Sequence, residues 1–244
     1  DFSSLHRDFI DESLNDLSKN FIHCGGFLNI YEGESVEIFS RLISTYNINR
    51  VYSNSEIGSK PIRERDLALE KLFKSQRVEW LVYQNNGIVG QLKNRDGWSE
   101  SWNKKMYRPI VHDVNVSKTI KLKIDGLGGV FTKRKIYKVN HQKRYNGGEK
   151  NGHDQLNYFL NTSGKTYFGD ISSPLKSEKS CSRLSPYITF GNLSIRQIIK
   201  ATRNRQTQLR ELKSRDGWLK SLSAFSSRLR WHCHFIQKLE MQPN

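Results

Sequence analysis

The densest chemistry in the sequence is the run Ser180-Cys181-Ser182-Arg183-Leu184-Ser185-Pro186-Tyr187-Ile188-Thr189-Phe190-Gly191-Asn192-Leu193-Ser194-Ile195-Arg196. Hydroxyls and backbone N–H groups gather where a loop enters a helix, and Arg183 adds a fixed positive charge. Unpaired donors at a helix start and the helix dipole both favour an anion, so the pattern suits a phosphate or pyrophosphate. The plainer alternative is that Ser182 or Ser185 caps the helix. Cys181 reads equally well as a small buried residue or as a weak donor to a ligand.

A second group is Phe225-Ser226-Ser227-Arg228-Leu229-Arg230-Trp231-His232-Cys233-His234-Phe235. Trp231 offers an aromatic face on which a base can stack. His232 and His234 flank Cys233, but side chains two apart on a helix diverge, so one metal ion is not expected to take both. His232 alone suits proton donation near neutral pH, and suits an ordinary polar helix face as well. Trp98, Trp102 and Trp218 read as packing residues, and Lys133-Arg134-Lys135 with Arg203, Arg205 and Arg210 as solvated surface whose common sign fits a phosphate backbone.

These groups need a scaffold, and the 244 residues are enough for one large domain or two ordinary ones. With 36% hydrophobic and 11% aromatic residues, the chain is not a disordered polybasic tail. Its charge of +16 is uneven: residues 1–110 carry 15 basic and 15 acidic side chains, and residues 111–244 carry 25 and 9. Such a surface attracts polyanions, nucleic acid first and an anionic membrane surface second. Three widely spaced cysteines make neither a disulfide framework nor a zinc pattern, and no run is long and apolar enough to cross a bilayer. A reducing, cytoplasmic setting is expected, without a membrane, for a monomer.

Apolar spacing of three and four predicts helices over 9–21, 36–45 and 61–74, and strands at Phe27–Tyr31, Arg50–Ser53 and Val78–Tyr83. Strands alternating with helices predict β-α-β units and a parallel sheet covered by helices. Residues 84–147, rich in Asn-Gly, Asp-Gly and Gly-Gly, read as a long connector with little regular structure. Beyond Gly148 the pattern is helical, through 154–160, 193–205, 208–212 and 219–239. The fold class is thus α/β followed by all-α: residues 1–83, 84–147 and 148–244.

The block around Ser182-Arg183-Leu184-Ser185-Pro186-Tyr187 resembles the flavin-embracing motif of the photolyase/cryptochrome family, Thr-Ser-x-Leu-Ser-Pro-Tyr-Leu followed by Gly and Leu-Ser-x-Arg, with Cys181 in place of the usual Thr. Val51-Tyr52-Ser53 with Glu56 and Arg65-Asp66 is similar to part of the family's amino-terminal α/β domain. Asn94 to Trp98, with Trp102 and Met106, is similar to the start of its connector in some bacterial members. Gly147-Gly148-Glu149, Tyr167 and Ser172-Ser173-Pro174-Leu175 resemble the approach to the flavin loop, and the Trp231 segment resembles the family's Leu-x-Trp-Arg-x-Phe-like helix.

The resemblance implies an incomplete Rossmann-like antenna domain lacking its first strand, a connector, and the first part of a helical FAD-binding domain, so that the chain is the middle of a longer protein. It implies FAD held by Tyr167, Cys181, Ser182, Arg183, Leu184, Ser185 and Phe225, and a second, unidentified antenna chromophore. DNA, UV-damaged, would meet Arg228, Trp231, His232 and Phe235, with His232 the candidate catalytic group. Arg228 stands where dimer photolyases carry a Glu, and His232 where they commonly carry Arg; an Arg cannot accept the hydrogen bonds a carboxylate accepts. The implied activity is that of a deoxyribodipyrimidine photo-lyase, a carbon–carbon lyase. The alternatives are a cryptochrome-like blue-light photoreceptor without repair, and a nucleic-acid-binding module without cofactor.

Overall fold

A computed structural model describes residues 3–85, 87–111, 114–122 and 145–242. Lys133-Arg134-Lys135 and much of the expected connector lie outside the described residues. The first elements are α1 (Ser4–His23), α2 (Ser35–Thr45), β1 (Arg50–Asn54), α3 (Lys60–Ser75) and β2 (Glu79–Tyr83). β1 and β2 pair in parallel from Arg50 opposite Glu79 to Asn54 opposite Tyr83, and α3 makes the crossover such a pairing requires. Apolar residues of α2 and α3 close over one sheet face: Phe73 meets Phe39 and Trp80 edge-on at 5.2 and 5.3 Å. On the other face Tyr52 and Tyr83 stack in the open, both more than half exposed.

Phe27–Tyr31 is not a strand. It runs beside residues 119–122 and is bonded largely through side chains: Asn29 donates to the Ile120 carbonyl and accepts from the Leu122 N–H, and the Phe27 N–H donates to Thr119. A backbone ladder is replaced there by one asparagine that mimics it.

The remaining elements are α4 (Trp98–Met106), α5 (Glu149–Asn161), a 3₁₀ turn (Ser163–Thr166), α6 (Tyr167–Asp170), α7 (Pro174–Ser180), α8 (Ser185–Thr189), α9 (Ile195–Glu211) and α10 (Trp218–Met241). The two helical segments expected over 193–212 are the single helix α9. The expected connector contains α4, whose Trp98, Trp102 and Met106 recur every fourth residue and are buried in the helical core. α4 and α10 start alike: Arg-Asp-Gly-Trp occurs at 95–98 and again at 215–218, with Gly97 (φ 70°) and Gly217 (φ 92°) in the left-handed region at each helix start. A Cβ would be strained at either position. Asp216 is held down to about 2 by the Ser214 hydroxyl and Lys165, as a carboxylate at a helix N-terminus should be.

α1 packs against the helical core: Phe9 is buried against Tyr187 and Phe190 at 5.3 and 5.5 Å. Three successive N–H groups at the start of α5, those of Gly147, Gly148 and Glu149, donate to Glu12, Ser13 and Asp16 of α1. The other junction is Gln237 of α10, fully buried, which accepts from the Val89 N–H at 2.8 Å and donates to the Val89 carbonyl at 2.9 Å. Among the described residues no helix is long and apolar enough to cross a membrane.

Candidate functional site

The loop between α7 and α8 carries residues 181–184. Leu184, 1% exposed, anchors it in the core, and Gln155 of α5 donates to the Ser182 carbonyl at 2.9 Å. Leu184 occupies the position before α8 and no side chain caps that helix, so the capping role open to Ser182 or Ser185 is not realised. Ser194 is the capping serine of this region, in a reciprocal pair with Gln197 at the start of α9. Within the described residues the hydroxyls of Ser182 and Ser185 have no hydrogen-bond partner.

Arg183 adopts φ 57°, a left-handed conformation that is strained for a residue with a Cβ. Its Nη2 donates to the Glu178 carbonyl at 3.2 Å, while its Nε is buried without a partner. A buried guanidinium donor left unpaired is costly, and an anion would satisfy it. The loop therefore offers two free hydroxyls and one orphaned charged donor within four residues. That donor set fits the phosphates of a dinucleotide such as FAD.

Tyr167 of α6 is the floor of this region. It is buried edge-on to Phe159 and Phe225, at 5.6 and 5.9 Å. Its hydroxyl is pushed up to about 12, first by burial and then by Cys181, with Arg228 acting the other way, which puts all three in one electrostatic neighbourhood. Phe225 is 3% exposed and packs 4.6 Å from Phe159, so in the described structure it is a core residue beneath the site.

α10 sorts the second group by helical phase. Leu222, Phe225, Leu229 and Cys233 form the core face, and burial pushes the Cys233 thiol up to about 11. Arg228, Trp231 and Phe235 lie on the opposite stripe, with Trp231 47% and Phe235 60% exposed. The Arg228 guanidinium sits 4.1 Å from the Trp231 ring centroid. His234 turns another way, against Trp98 and within 2.9 Å of an Arg95 nitrogen.

His232 does not share the face of Trp231. It lines a cavity of about 330 Å3 together with Ser55, Glu56 and Asn85, which follow the carboxyl ends of β1 and β2, and Thr189 of α8. Its Nδ1 is buried without a partner and burial lowers its pKa, which favours the neutral ring. Glu56 is paired with Arg65 at 3.0 Å. Of these residues the sequence had pointed to Glu56 and His232 separately; the rule that ligands bind at the carboxyl ends of parallel strands is the signal that adds Ser55 and Asn85.

Comparison with known proteins follows the same lines. Residues 1–100 match the family model described as DNA photolyase. No curated protein matches the sequence. The fold is similar to a bacterial class III photolyase from Agrobacterium tumefaciens, at 19% identity over 99% of this chain and 51% of that one, with a TM-score of 0.70. It is similar to a cryptochrome from Synechocystis sp. PCC6803 at 16% identity over 98% and 51%, with a TM-score of 0.73. An archaeal photolyase from Sulfolobus tokodaii, solved with two FAD molecules, matches at 20% identity over 99% and 50%, with a TM-score of 0.56. The chain spans about half the length of each. At these identities the likeness is one of fold.

Proposed function

From a chain whose residues 1–100 match the DNA photolyase family and whose fold is that of the photolyases and cryptochromes, we propose a light-driven, FAD-dependent protein that repairs pyrimidine photoproducts in DNA. The observation that carries the flavin part is the loop of Ser182, Arg183 and Ser185, with its orphaned buried Arg183 Nε. In this reading Arg183, Ser182 and Ser185 hold the phosphates, Leu184 fixes the loop, Tyr167 and Phe225 make its floor, and Cys181 lines the inner wall. Bound FAD would supply, on absorbing blue light, the electron that splits the lesion. The protein contributes position and charge.

The lesion would stack on the exposed face of Trp231, with Phe235 one turn further along α10 and the excess positive charge holding the DNA backbone. Arg228 keeps Trp231 in place. His232 faces the cavity at the strand ends, with its neutral form favoured by burial, and in this reading takes part there as a hydrogen-bonding group. In this reading that cavity would take the second chromophore.

A blue-light receptor without repair is the second reading, and one observation favours it. Arg228 covers part of the Trp231 ring and brings no hydrogen-bond acceptor for a base. The flavin reading is tested by adding FAD to the protein as its cell makes it, stripped of small molecules. Flavin absorbance that co-purifies after gel filtration, and is lost in Arg183→Ala, supports it. A colourless protein that cannot be reconstituted contradicts both readings.

A further inference from the structure

A separate cavity of about 340 Å3 opens between the end of α4, the segment that follows it, and one face of α9. Its walls carry Arg108, Arg196, Lys200 and Arg203, with Asn204 and Thr207 as neutral hydrogen-bonding groups and no carboxylate among the described lining residues. Positions 196, 200, 203 and 207 fall on one stripe of α9, and Arg108 faces them from the other wall. Arg196 donates to the Pro109 carbonyl at 3.4 Å, and the Arg203 guanidinium lies 4.1 Å from the Tyr107 ring centroid. Both contacts hold a charged group in place without neutralising it.

Among the described residues none of the four cations is in an ion pair. Lys105, just outside the cavity, has its pKa lowered, first by burial and then by Arg108 and Arg196, so the field there is positive. Like charges brought together without counter-charge cost stability. Their natural complement is an anion of high charge density.

We propose that this cleft binds a small phosphorylated ligand of the nucleoside diphosphate class. Arg108, Arg196 and Lys200 take the phosphates, and Met106, Ile110 and Ile199 supply the apolar wall for the rest of the molecule. A concave site of this size suits a small ligand. The inference is independent of the flavin reading, because the cleft shares no residue with the 181–185 loop.

Calorimetric titration of the intact protein with ADP, pyrophosphate and a single-stranded oligonucleotide tests it. ADP and pyrophosphate are expected to bind and to compete with each other. Arg196→Gln and Lys200→Gln should each weaken ADP by about tenfold, the scale of one charge-assisted hydrogen bond. Lys238→Gln, on α10, should leave it unchanged, and circular dichroism should show all three variants folded. Absence of ADP binding at millimolar concentration, or variants that weaken only the oligonucleotide, would overturn the proposal.

Discussion

The guanidinium of Arg228 rests 4.1 Å from the centre of the Trp231 ring, one helical turn away on α10. At an exposed site such a contact is worth about 0.5–1 kcal/mol, enough to fix the ring's orientation and leave its other face free. A positive side chain therefore meets an exposed aromatic surface on the stripe of α10 opposite its core face.

Replacing Trp231 by Ala is expected to weaken binding of an oligonucleotide carrying a pyrimidine photoproduct by about 1–3 kcal/mol, the value of one base–aromatic stack. Undamaged DNA should lose much less. Fluorescence anisotropy with both oligonucleotides measures this, and equal losses would refute stacking at this ring.

Tyr167 and Cys233 set an alkaline limit on stability. Each has a folded-state pKa above its ordinary value, about 12 against 10.0 and about 11 against 9.0, because burial disfavours the anion. Above the ordinary value the unfolded chain releases its proton and the folded chain does not. The stabilisation is complete below pH 9 and lost as pH rises, through 9–11 for Cys233 and 10–12 for Tyr167. Roughly 2–3 kcal/mol per group is at stake. Urea unfolding from pH 8 to 12 should show this decline, and Tyr167→Phe should flatten it above pH 10. An unchanged slope in that variant would remove Tyr167 from the explanation.

Gln237 joins the segment after β2 to α10 by acting as a substitute peptide group toward Val89. It is fully buried, so Gln237→Ala leaves both Val89 groups unpaired beside a cavity. The expected loss is about 3 kcal/mol in unfolding free energy, measured by urea titration. A loss below about 1 kcal/mol would mean that water replaces the side chain with little cost.

Gly147, just ahead of α5, lies against α1. A Cβ there would run into the Phe9 carbonyl and meet the Ser13 hydroxyl at 2.6 Å. Gly147→Ala must push α1 away and loosen the bonds from the start of α5 to Glu12, Ser13 and Asp16. Hydrogen exchange of the Gly148 and Glu149 amides should accelerate relative to α10, and unchanged protection would show that α1 does not hold this helix.

The α/β-then-helical order was legible because α2, α3, α9 and α10 each bury one stripe, and periodicity reports such stripes directly. Phe27–Tyr31 has strand composition but lies against residues 119–122, a partner that no local pattern reveals. α4 was hidden by its shortness and polar filling, although Trp98, Trp102 and Met106 four apart carried its signal. The 181–185 loop could be recognised because its residues are contiguous. The direction of His232 depends on which face of α10 the core claims, and the basic cleft draws Arg108 and Arg196 from distant parts of the chain. Neither is written in a local motif.

The proposed function turns light into lesion repair through FAD held at Arg183. It is tested by incubating the protein as its cell makes it, with FAD reduced, with ultraviolet-irradiated oligonucleotides, in blue light and in darkness. Chromatography then measures the remaining cyclobutane dimers and 6-4 photoproducts. Loss of one lesion class in light, absent in darkness and abolished with flavin binding in Arg183→Ala, is the predicted result. Flavin retained with neither lesion lost would contradict repair and leave the photoreceptor reading in its place.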